Sequence, residues 1–163
     1  MPLFRSRMPS PVGELTLVAS DAGLVAVLWE DDDPRRVPLA DLLDDAGHSV
    51  LERATVQLGE YFGGERTRFD LPLDFRGTDF QKSVWHALLT IPFGETRSYR
   101  QIAEAVGRPT ASRAVGAANG RNPVSIIAPC HRIVGASGAL TGFAGGLEAK
   151  AFLLKLEGPK LLL

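Results

Sequence analysis

The stretch SYRQIAEAVGRPTASRAVGAANG, residues 98–120, decides the fold of the second half of the chain. Ser98 and Gln101 form the capping-box pattern that opens a short helix, YRQIAEAV. Gly107 predicts the end of this helix, the Arg-Pro dipeptide after it predicts a turn, and a second helix is expected over residues 110–119. Two short helices joined by a tight glycine-containing turn predict a helix-turn-helix, although this pattern alone is weak evidence of DNA binding.

The second of these helices, ASRAVGAANG, has an unusual composition. All its side chains are small except that of Arg113, so its backbone can approach another surface closely. Close packing against a neighbouring helix is one interpretation. The other is entry into the minor groove of DNA, which is only about 6 Å wide, with Arg113 reaching between the strands. A helix that reads base edges would carry more Asn, Gln, Arg and Lys, so any DNA contact here would depend on shape.

Length and composition limit the class of protein. The chain has 163 residues, 45% of them hydrophobic, which is enough for one large or two small domains with a buried core. The sequence shows neither a signal-peptide pattern nor an apolar run of about 18 residues, so we expect no membrane association. A single cysteine cannot form an internal disulfide. This favours a reducing compartment, and we expect a cytoplasmic protein.

Charge is distributed unevenly along the chain, although the net charge is only −1. Residues 1–75 carry 14 acidic and 7 basic side chains, a net charge of −7. Residues 76–163 carry 5 acidic and 11 basic side chains, a net charge of +6. This asymmetry favours contact of the second half alone with a polyanion. Attraction between the two halves is the alternative interpretation.

The first half predicts a small α/β domain. Two short apolar runs within residues 13–29 flank Asp21-Ala22-Gly23, which predicts a β-hairpin. Apolar residues at helical spacing predict a helix over 51–62. The segment FDLPLDF, 69–75, predicts an extended stretch at a sheet edge because it contains a proline.

We place a domain boundary near Gly77, which divides the chain into residues 1–76 and 77–163. The second domain is expected to be mainly helical. Beyond the two helices described above, apolar residues from Phe80 to Leu88 predict another helix, ended by the Pro and Gly of the following PFG sequence.

The only cysteine lies in the segment IIAPCHRIVGASG, residues 126–138. The apolar run 124–128 predicts a buried strand or extended segment that delivers Cys130 to a turn. A lone buried cysteine is usually an inert small hydrophobe. Here His131 and Arg132 follow at once and offer a base and a positive charge that favour a thiolate. Because adjacent residues point in different directions, we expect His131 to act through a water.

Other site chemistries fit the sequence less well. The glycines of residues 135–146 would let the backbone approach a flat ligand, but the Gly-Lys-Ser/Thr ending of a phosphate loop is missing. The three histidines and Cys130 are too scattered for a zinc ligand set, and we expect neither a metal nor another cofactor. A cysteine hydrolase with His48 or His86 as a distant base is an open alternative, although no family signature surrounds the cysteine.

Five motifs in the second half resemble those of the methylated-DNA–protein-cysteine methyltransferases, which repair O6-alkylguanine. The match covers most of residues 78–158, and the N-terminal half matches more loosely through SPVGELTL and FDLPLDFRGT. The resemblance implies a ribonuclease-H-like α/β domain followed by a mainly α domain with a helix-turn-helix. The five motifs are PFGETRSYRQIA (92–103), SRAVGAANGRNP (112–123), PCHRIVG (129–135), TGFAGG (141–146) and LLKLEG (153–158).

The resemblance also implies roles for matching residues. Cys130 would accept the alkyl group in one irreversible transfer, His131 would activate the thiol through a water, and Glu157 would orient the imidazole. Tyr99 would help to rotate the nucleotide out of the duplex and hydrogen-bond the guanine, and Arg113 would fill the gap in the base stack.

The remaining implied residues surround this set. Asn122 would be the hinge that joins the recognition helix to the active-site strand. The other residues expected to contact DNA are Ala111, Ser112, Ala114 and Gly116, and those expected to line the base pocket with Tyr99 are Ile133, Phe143 and Ala144. The implied partner is double-stranded DNA containing O6-alkylguanine, bound by a protein that is monomeric in solution.

The sequence departs from the family pattern in three respects. Phe143 stands where the family usually has Tyr, so a hydroxyl contact is lost, and Ala128 stands where a β-branched residue is commoner, an exchange expected to loosen packing under the thiol. The zinc ligands that some relatives carry have no evident match. Two rival classes are a module that binds alkylated bases without transfer, which Cys130 argues against, and a purely structural domain, which the charge asymmetry and Arg113 argue against.

Overall fold

The computed structural model describes residues 2–135 and 142–158. These residues divide into two compact units. The first contains the chain up to Arg76 together with Pro123–Ser125, and the second contains Gly77–Asn122 and the chain from Ile126 onward. The expected division into 1–76 and 77–163 did not include residues 123–125 in the first unit.

The first unit is built on a four-stranded sheet. Its strands are β1 (Leu3–Met8), β2 (Leu15–Ser20), β3 (Gly23–Leu28) and β4 (Leu42–Asp44), in the order β3-β2-β1-β4. Strand β2 pairs antiparallel with both β1 and β3, whereas β4 pairs parallel with β1. The predicted hairpin around the Asp-Ala-Gly turn is therefore confirmed, whereas β1 and β4 were not predicted.

One helix and one extended segment complete this unit. Helix α1 (Ser49–Phe62) begins after His48, whose side chain accepts a hydrogen bond from Val50 N–H, and it packs against the sheet. The segment around Pro72 runs beside β3, where Leu24 N–H donates to Pro72 O at 2.8 Å. Because proline has no N–H to donate, it is tolerated at such an edge. The predicted helix and the predicted edge segment are both confirmed.

The second unit is mainly helical. Its helices are α2 (Asp79–Leu88), α3 (Tyr99–Ala105), α4 (Ser112–Gly120) and α5 (Leu147–Glu157), accompanied by a short parallel pair, β5 (Arg97–Ser98) with β6 (Ile133–Val134). A sheet domain followed by a mainly helical one is what the sequence predicts, and this coarse fold is confirmed. Within the described part of the chain, no helix has the length and apolar character needed to cross a membrane.

A capping box explains where α3 begins. Ser98 Oγ accepts a hydrogen bond from Gln101 N–H at 3.1 Å, and Gln101 Oε1 accepts one from Ser98 N–H at 2.9 Å. The predicted capping box of α3 is thus confirmed. Helix α4 begins two residues later than predicted, because Thr110 lies in a turn closed by the hydrogen bond from Ala111 N–H to Arg108 O at 2.9 Å.

The apolar run 124–128 is buried, as predicted, but it is not a strand. Val124 forms a single parallel bridge with Val27, after which the chain turns. Ile126 has a φ of 73°, in the left-handed region that β-branched residues avoid. The prediction of a strand or extended segment is therefore wrong, because the chain turns after Val124. The predicted turn at the cysteine is confirmed by the 3₁₀ turn Cys130–Arg132.

Candidate active site

Pairing of β5 with β6 brings two distant segments of the second unit together. Ser98 pairs with Val134, so Tyr99 starts α3 one residue after β5, and β6 follows directly on the Cys130–Arg132 turn. Helix α5 packs against the same turn and ends at Glu157. Elements of three separate motifs therefore pack against the Cys130–Arg132 turn or the strand that follows it.

Cys130 is almost completely buried, with 4% of its surface exposed. Its N–H donates to Ala128 O at 2.7 Å, and the same carbonyl oxygen accepts a hydrogen bond from Asn122 Nδ2 at 2.8 Å. Asn119 Nδ2 lies 3.5 Å from Cys130 O. Asn119, near the end of α4, and Asn122, just beyond it, therefore direct their amide groups at the backbone carbonyls of Cys130 and Ala128.

His131 is fully buried and held from one side by a carboxylate. Its Nε2 lies 2.7 Å from Glu157 Oε2, whereas Nδ1 has no hydrogen-bond partner among the residues that the structure describes. Because a carboxylate can only accept, Nε2 carries the hydrogen, and in the neutral imidazole Nδ1 then keeps the lone pair. Burial lowers the pKa of His131 below its usual value of 6.5 and outweighs the opposing effect of Glu157, which favours the neutral imidazole.

Arg132 is directed at Glu157. Its Nε donates to Oε1 at 2.7 Å and its Nη2 to Oε2 at 3.0 Å, while Nη1 donates to Ile91 O at 2.6 Å. Such a bidentate pair is a strong, geometrically specific contact. The sequence analysis did not predict this pairing of Arg132 with the carboxylate of Glu157.

Lys150 is a site residue that the sequence analysis missed. Its side chain is fully buried on α5, and its Nζ lies 5.9 Å from the centre of the Phe143 ring. Burial lowers the pKa of Lys150, and a negative charge on Cys130 opposes this shift. The interaction is reciprocal, so the ammonium group of Lys150 stabilises a thiolate at Cys130.

Helix α4 has a buried face and an exposed face. Val115 and Ala118 are buried, and Trp85 on α2 donates a hydrogen bond from Nε1 to Ala118 O at 2.8 Å. Arg113 and Ala114 are exposed on the other side. Close helix packing, one of the two interpretations of this composition, therefore applies to the buried face, and the exposed face is free to meet another surface.

The middle of α4 lies beside Tyr99. A Cβ atom added to Gly116 would stand 3.6 Å from Tyr99 Cε1, so the aromatic ring rests on the helix where a glycine exposes the backbone. Ala111 and Ser112, at the N-terminal end of α4, are partly exposed. The candidate DNA contacts thus lie at the N-terminal end and in the first half of α4.

The candidate pocket residues differ in burial. Ile133 is fully buried in β6, Phe143 is partly buried, and Ala144 is exposed. The backbone turns after Phe143, where Gly146 N–H donates to Phe143 O at 2.9 Å. Residues 136–141 of the same glycine-rich loop, Gly138 among them, lie outside the described residues. Across 2–135 and 142–158, no three His, Cys, Asp or Glu side chains are grouped so as to hold a metal ion.

Family models match both parts of the chain. Residues 3–75 match the ribonuclease-like domain of 6-O-methylguanine DNA methyltransferase, and residues 79–159 match the DNA binding domain of the same family. The chain belongs to the 6-O-methylguanine DNA methyltransferase family. The family resemblance and the enzyme class predicted from the sequence are confirmed.

Similar proteins support this membership in the 6-O-methylguanine DNA methyltransferase family. A methylated-DNA–protein-cysteine methyltransferase of Mycobacterium tuberculosis is 52% identical over 150 residues, which cover 91% of this chain and 88% of the relative. One from Methanosarcina acetivorans is 49% identical and covers 96% and 99% of the two chains. The crystal structure of Mycobacterium tuberculosis OGT in complex with DNA has a TM-score of 0.86 at 47% identity and covers 98% and 96%.

Proposed function

We propose that this methyltransferase repairs duplex DNA by transferring the alkyl group of O6-alkylguanine irreversibly to Cys130, once per molecule. The observation that carries the proposal is the buried series Cys130, His131 and Glu157. In this series a thiol neighbours an imidazole whose Nε2 is held by a carboxylate and whose Nδ1 is open as an acceptor. This is the arrangement of an activated nucleophile with a base and an orienting group.

The proposed chemistry is a displacement at the alkyl carbon. The thiol proton passes through a water to His131 Nδ1, and the sulfur forms a C–S bond as the C–O6 bond breaks. The bonding electron pair leaves with the guanine, which gains a proton, so that the thiol hydrogen and the alkyl group have changed places overall. Lys150 supports the thiolate before the attack. The resulting thioether offers no group for hydrolysis, which limits each molecule to one turnover.

A buried sulfur cannot reach O6 inside a base stack, so the nucleotide must leave the duplex. Extrusion of this kind costs a few kcal/mol. We propose that α3 and α4 act as a helix-turn-helix whose exposed face enters the minor groove, with Arg113 occupying the space left by the base. Tyr99, resting on Gly116, would stand beside the extruded nucleotide, which Ile133, Phe143 and Ala144 would receive in a pocket.

The comparisons support the finer parts of this proposal in a general way. The ribonuclease-like description of residues 3–75 agrees with a ribonuclease-H-like architecture for the first unit. The relative solved in complex with DNA supports DNA as the partner, and we propose that the bound form is double-stranded. Because all the proposed catalytic residues belong to one unit of one chain, a single copy suffices, and we propose that the protein acts as a monomer without a cofactor.

Replacement of the thiol tests this function. Cys130→Ala should bind duplex DNA containing O6-methylguanine with unchanged affinity but leave the methyl group on the DNA. Cys130→Ser, which keeps a hydroxyl of similar size, should also fail, because an alcohol at this position is not ionised at neutral pH. Removal of the methyl group by either variant would contradict the proposal. Release of the methyl group as free methanol by the unsubstituted protein would instead indicate a cysteine hydrolase.

A further inference from the structure

In the buried site Glu157 contacts both His131 and Arg132, and its bidentate contact is the one with Arg132. Both carboxylate oxygens accept from the guanidinium group, at 2.7 and 3.0 Å, while His131 Nε2 shares only Oε2, at 2.7 Å. The third hydrogen bond of Arg132, to Ile91 O at 2.6 Å, ties the guanidinium group to the chain just after α2. All three side chains of this Arg132–Glu157–His131 group are buried.

The charge of Glu157 decides which form of the imidazole is stable. A buried carboxylate facing an imidazole alone favours the imidazolium, because an opposite charge stabilises the charged form. An imidazolium carries a hydrogen on both nitrogens and can accept no proton at Nδ1. The guanidinium group compensates the carboxylate, so the imidazole beside it need not be charged.

We propose that Arg132 is a positioning residue of the transfer reaction: by holding both oxygens of Glu157, it keeps His131 neutral, with the hydrogen on Nε2 and the lone pair on Nδ1. This inference rests on the proposed function, in which Nδ1 receives the thiol proton. It gives Arg132 a role through Glu157, and Arg132 itself need not contact the substrate.

The other charged groups near His131 either lower its pKa, as Arg132 does, or have no effect on it. Arg132 and Lys150 both lower the pKa of His131, and Glu157 raises it. Helix α2 also packs against the Cys130–Arg132 turn and carries Asp79, Lys82 and His86, none of which contributes to the shift. Loss of Arg132 would therefore leave Glu157 as the dominant influence after burial.

The pH dependence of single-turnover transfer tests the proposal. Arg132→Gln should move the acid limb of the rate profile to higher pH by at least about one unit, which is a tenfold loss of rate on that limb. The rate should recover toward alkaline pH, where the imidazolium loses its proton. Arg132→Lys should restore part of the shift, because an ammonium compensates the charge but not both oxygens. Arg132→Gln combined with Glu157→Gln should return the limb to its original pH.

A matched control separates this effect from loss of stability. Arg36 in the first unit makes a similar pair with Asp32, with Nε and Nη2 at 2.7 and 2.6 Å from its two oxygens, and both side chains are largely buried. Arg36→Gln should destabilise the protein without moving the acid limb. An unmoved limb in Arg132→Gln, or an equal movement in Arg36→Gln, would overturn the proposal.

The tautomer of His131 can also be observed without any substitution. Nitrogen chemical shifts of the His131 ring should show a neutral imidazole protonated at Nε2 at pH 7. An imidazolium, or a ring protonated at Nδ1, would refute the role of Arg132 even if the Arg132 variants do not fold. Failure of Cys130 to accept an alkyl group would refute the proposed function instead, and the two outcomes are therefore distinguishable.

Discussion

Asn122→Ala removes the side chain that connects the end of α4 to the backbone before the thiol. In the structure Asn122 is fully buried, and its Nδ2 donates to Ala128 O at 2.8 Å. Ala128 O also accepts from Cys130 N–H at 2.7 Å, so the carbonyl keeps one partner when the amide is lost. The substitution therefore removes this hydrogen bond and leaves Ala128 O with its bond from Cys130 N–H.

The loss of stability follows from these contacts. A hydrogen bond of this kind contributes about 0.5–1.5 kcal/mol net. The space vacated by the amide group adds about 1 kcal/mol, at the low end of the range for truncations in packed interiors. A total of about 2 kcal/mol corresponds to a fall in melting temperature of about 4–8 °C for a chain of this size.

Asn119→Ala is the matched control, because it removes the same chemical group from the same region. Its Nδ2 lies 3.5 Å from Cys130 O, at the limit for a hydrogen bond, and its Oδ1 is buried without a hydrogen-bond partner among the described residues. Losing a weak contact and an unsatisfied oxygen should cost little hydrogen-bond energy, so the vacated space leaves a total of about 1 kcal/mol, half that expected for Asn122→Ala.

Calorimetric melting and single-turnover transfer from O6-methylguanine DNA measure the two effects together. We expect Asn122→Ala to lower the melting temperature as stated and to slow transfer at least about tenfold, because small displacements of a nucleophile are costly. Asn119→Ala should change the transfer rate by less than about threefold if only its weaker contact matters. Equal losses in the two variants, or a larger loss for Asn119, would refute the assignment of Asn122 as the link to the cysteine.

Three further predictions concern DNA and the product. Arg113→Ala and Tyr99→Ala should slow repair of duplex DNA far more than reaction with a free O6-benzylguanine base, because neither residue makes or breaks the alkyl bond; equal losses on both substrates would place them in the chemical step. Affinity for DNA should fall linearly with salt on a logarithmic scale, with a slope of about −0.9 per neutralised phosphate, and should vary little with flanking sequence; fluorescence anisotropy would reveal a flat salt dependence or a strong sequence preference if this is wrong. The methylated protein should unfold about 1–3 kcal/mol more easily than the fresh one, because a methyl group is added to a packed, 4%-exposed cysteine; a melting temperature at or above that of the fresh protein would show that the pocket has room.

The elements that could be predicted from the sequence are those with local causes. The Ser98–Gln101 capping box lies within four residues, and the hairpin depends on a three-residue turn between two apolar runs. Strand β4 escaped prediction because it pairs with β1 across some forty residues of chain. The turn at Ile126 escaped because a β-branched residue gives no local indication of a left-handed conformation.

The residues of the candidate site also divide into those that could be predicted from the sequence and those that could not. The resemblance supplied Cys130, His131 and Glu157, and the structure places the last two in contact. It could not show which way Arg132 points, because its partner lies 25 residues later on another helix. The burial of Lys150 depends on the packing of α5 against the cysteine turn, and a lysine in a helix is usually solvated.

Counting methyl groups by intact-protein and peptide mass spectrometry tests the central claim most directly. A fixed amount of protein is incubated with a large excess of O6-methylguanine duplex, and the methyl groups on protein and DNA are followed to completion. The account predicts one methyl group per protein molecule, located on the peptide that contains Cys130, and an equal number of repaired guanines. Repair of more guanines than there are protein molecules, or a methyl group on any other residue, would contradict it.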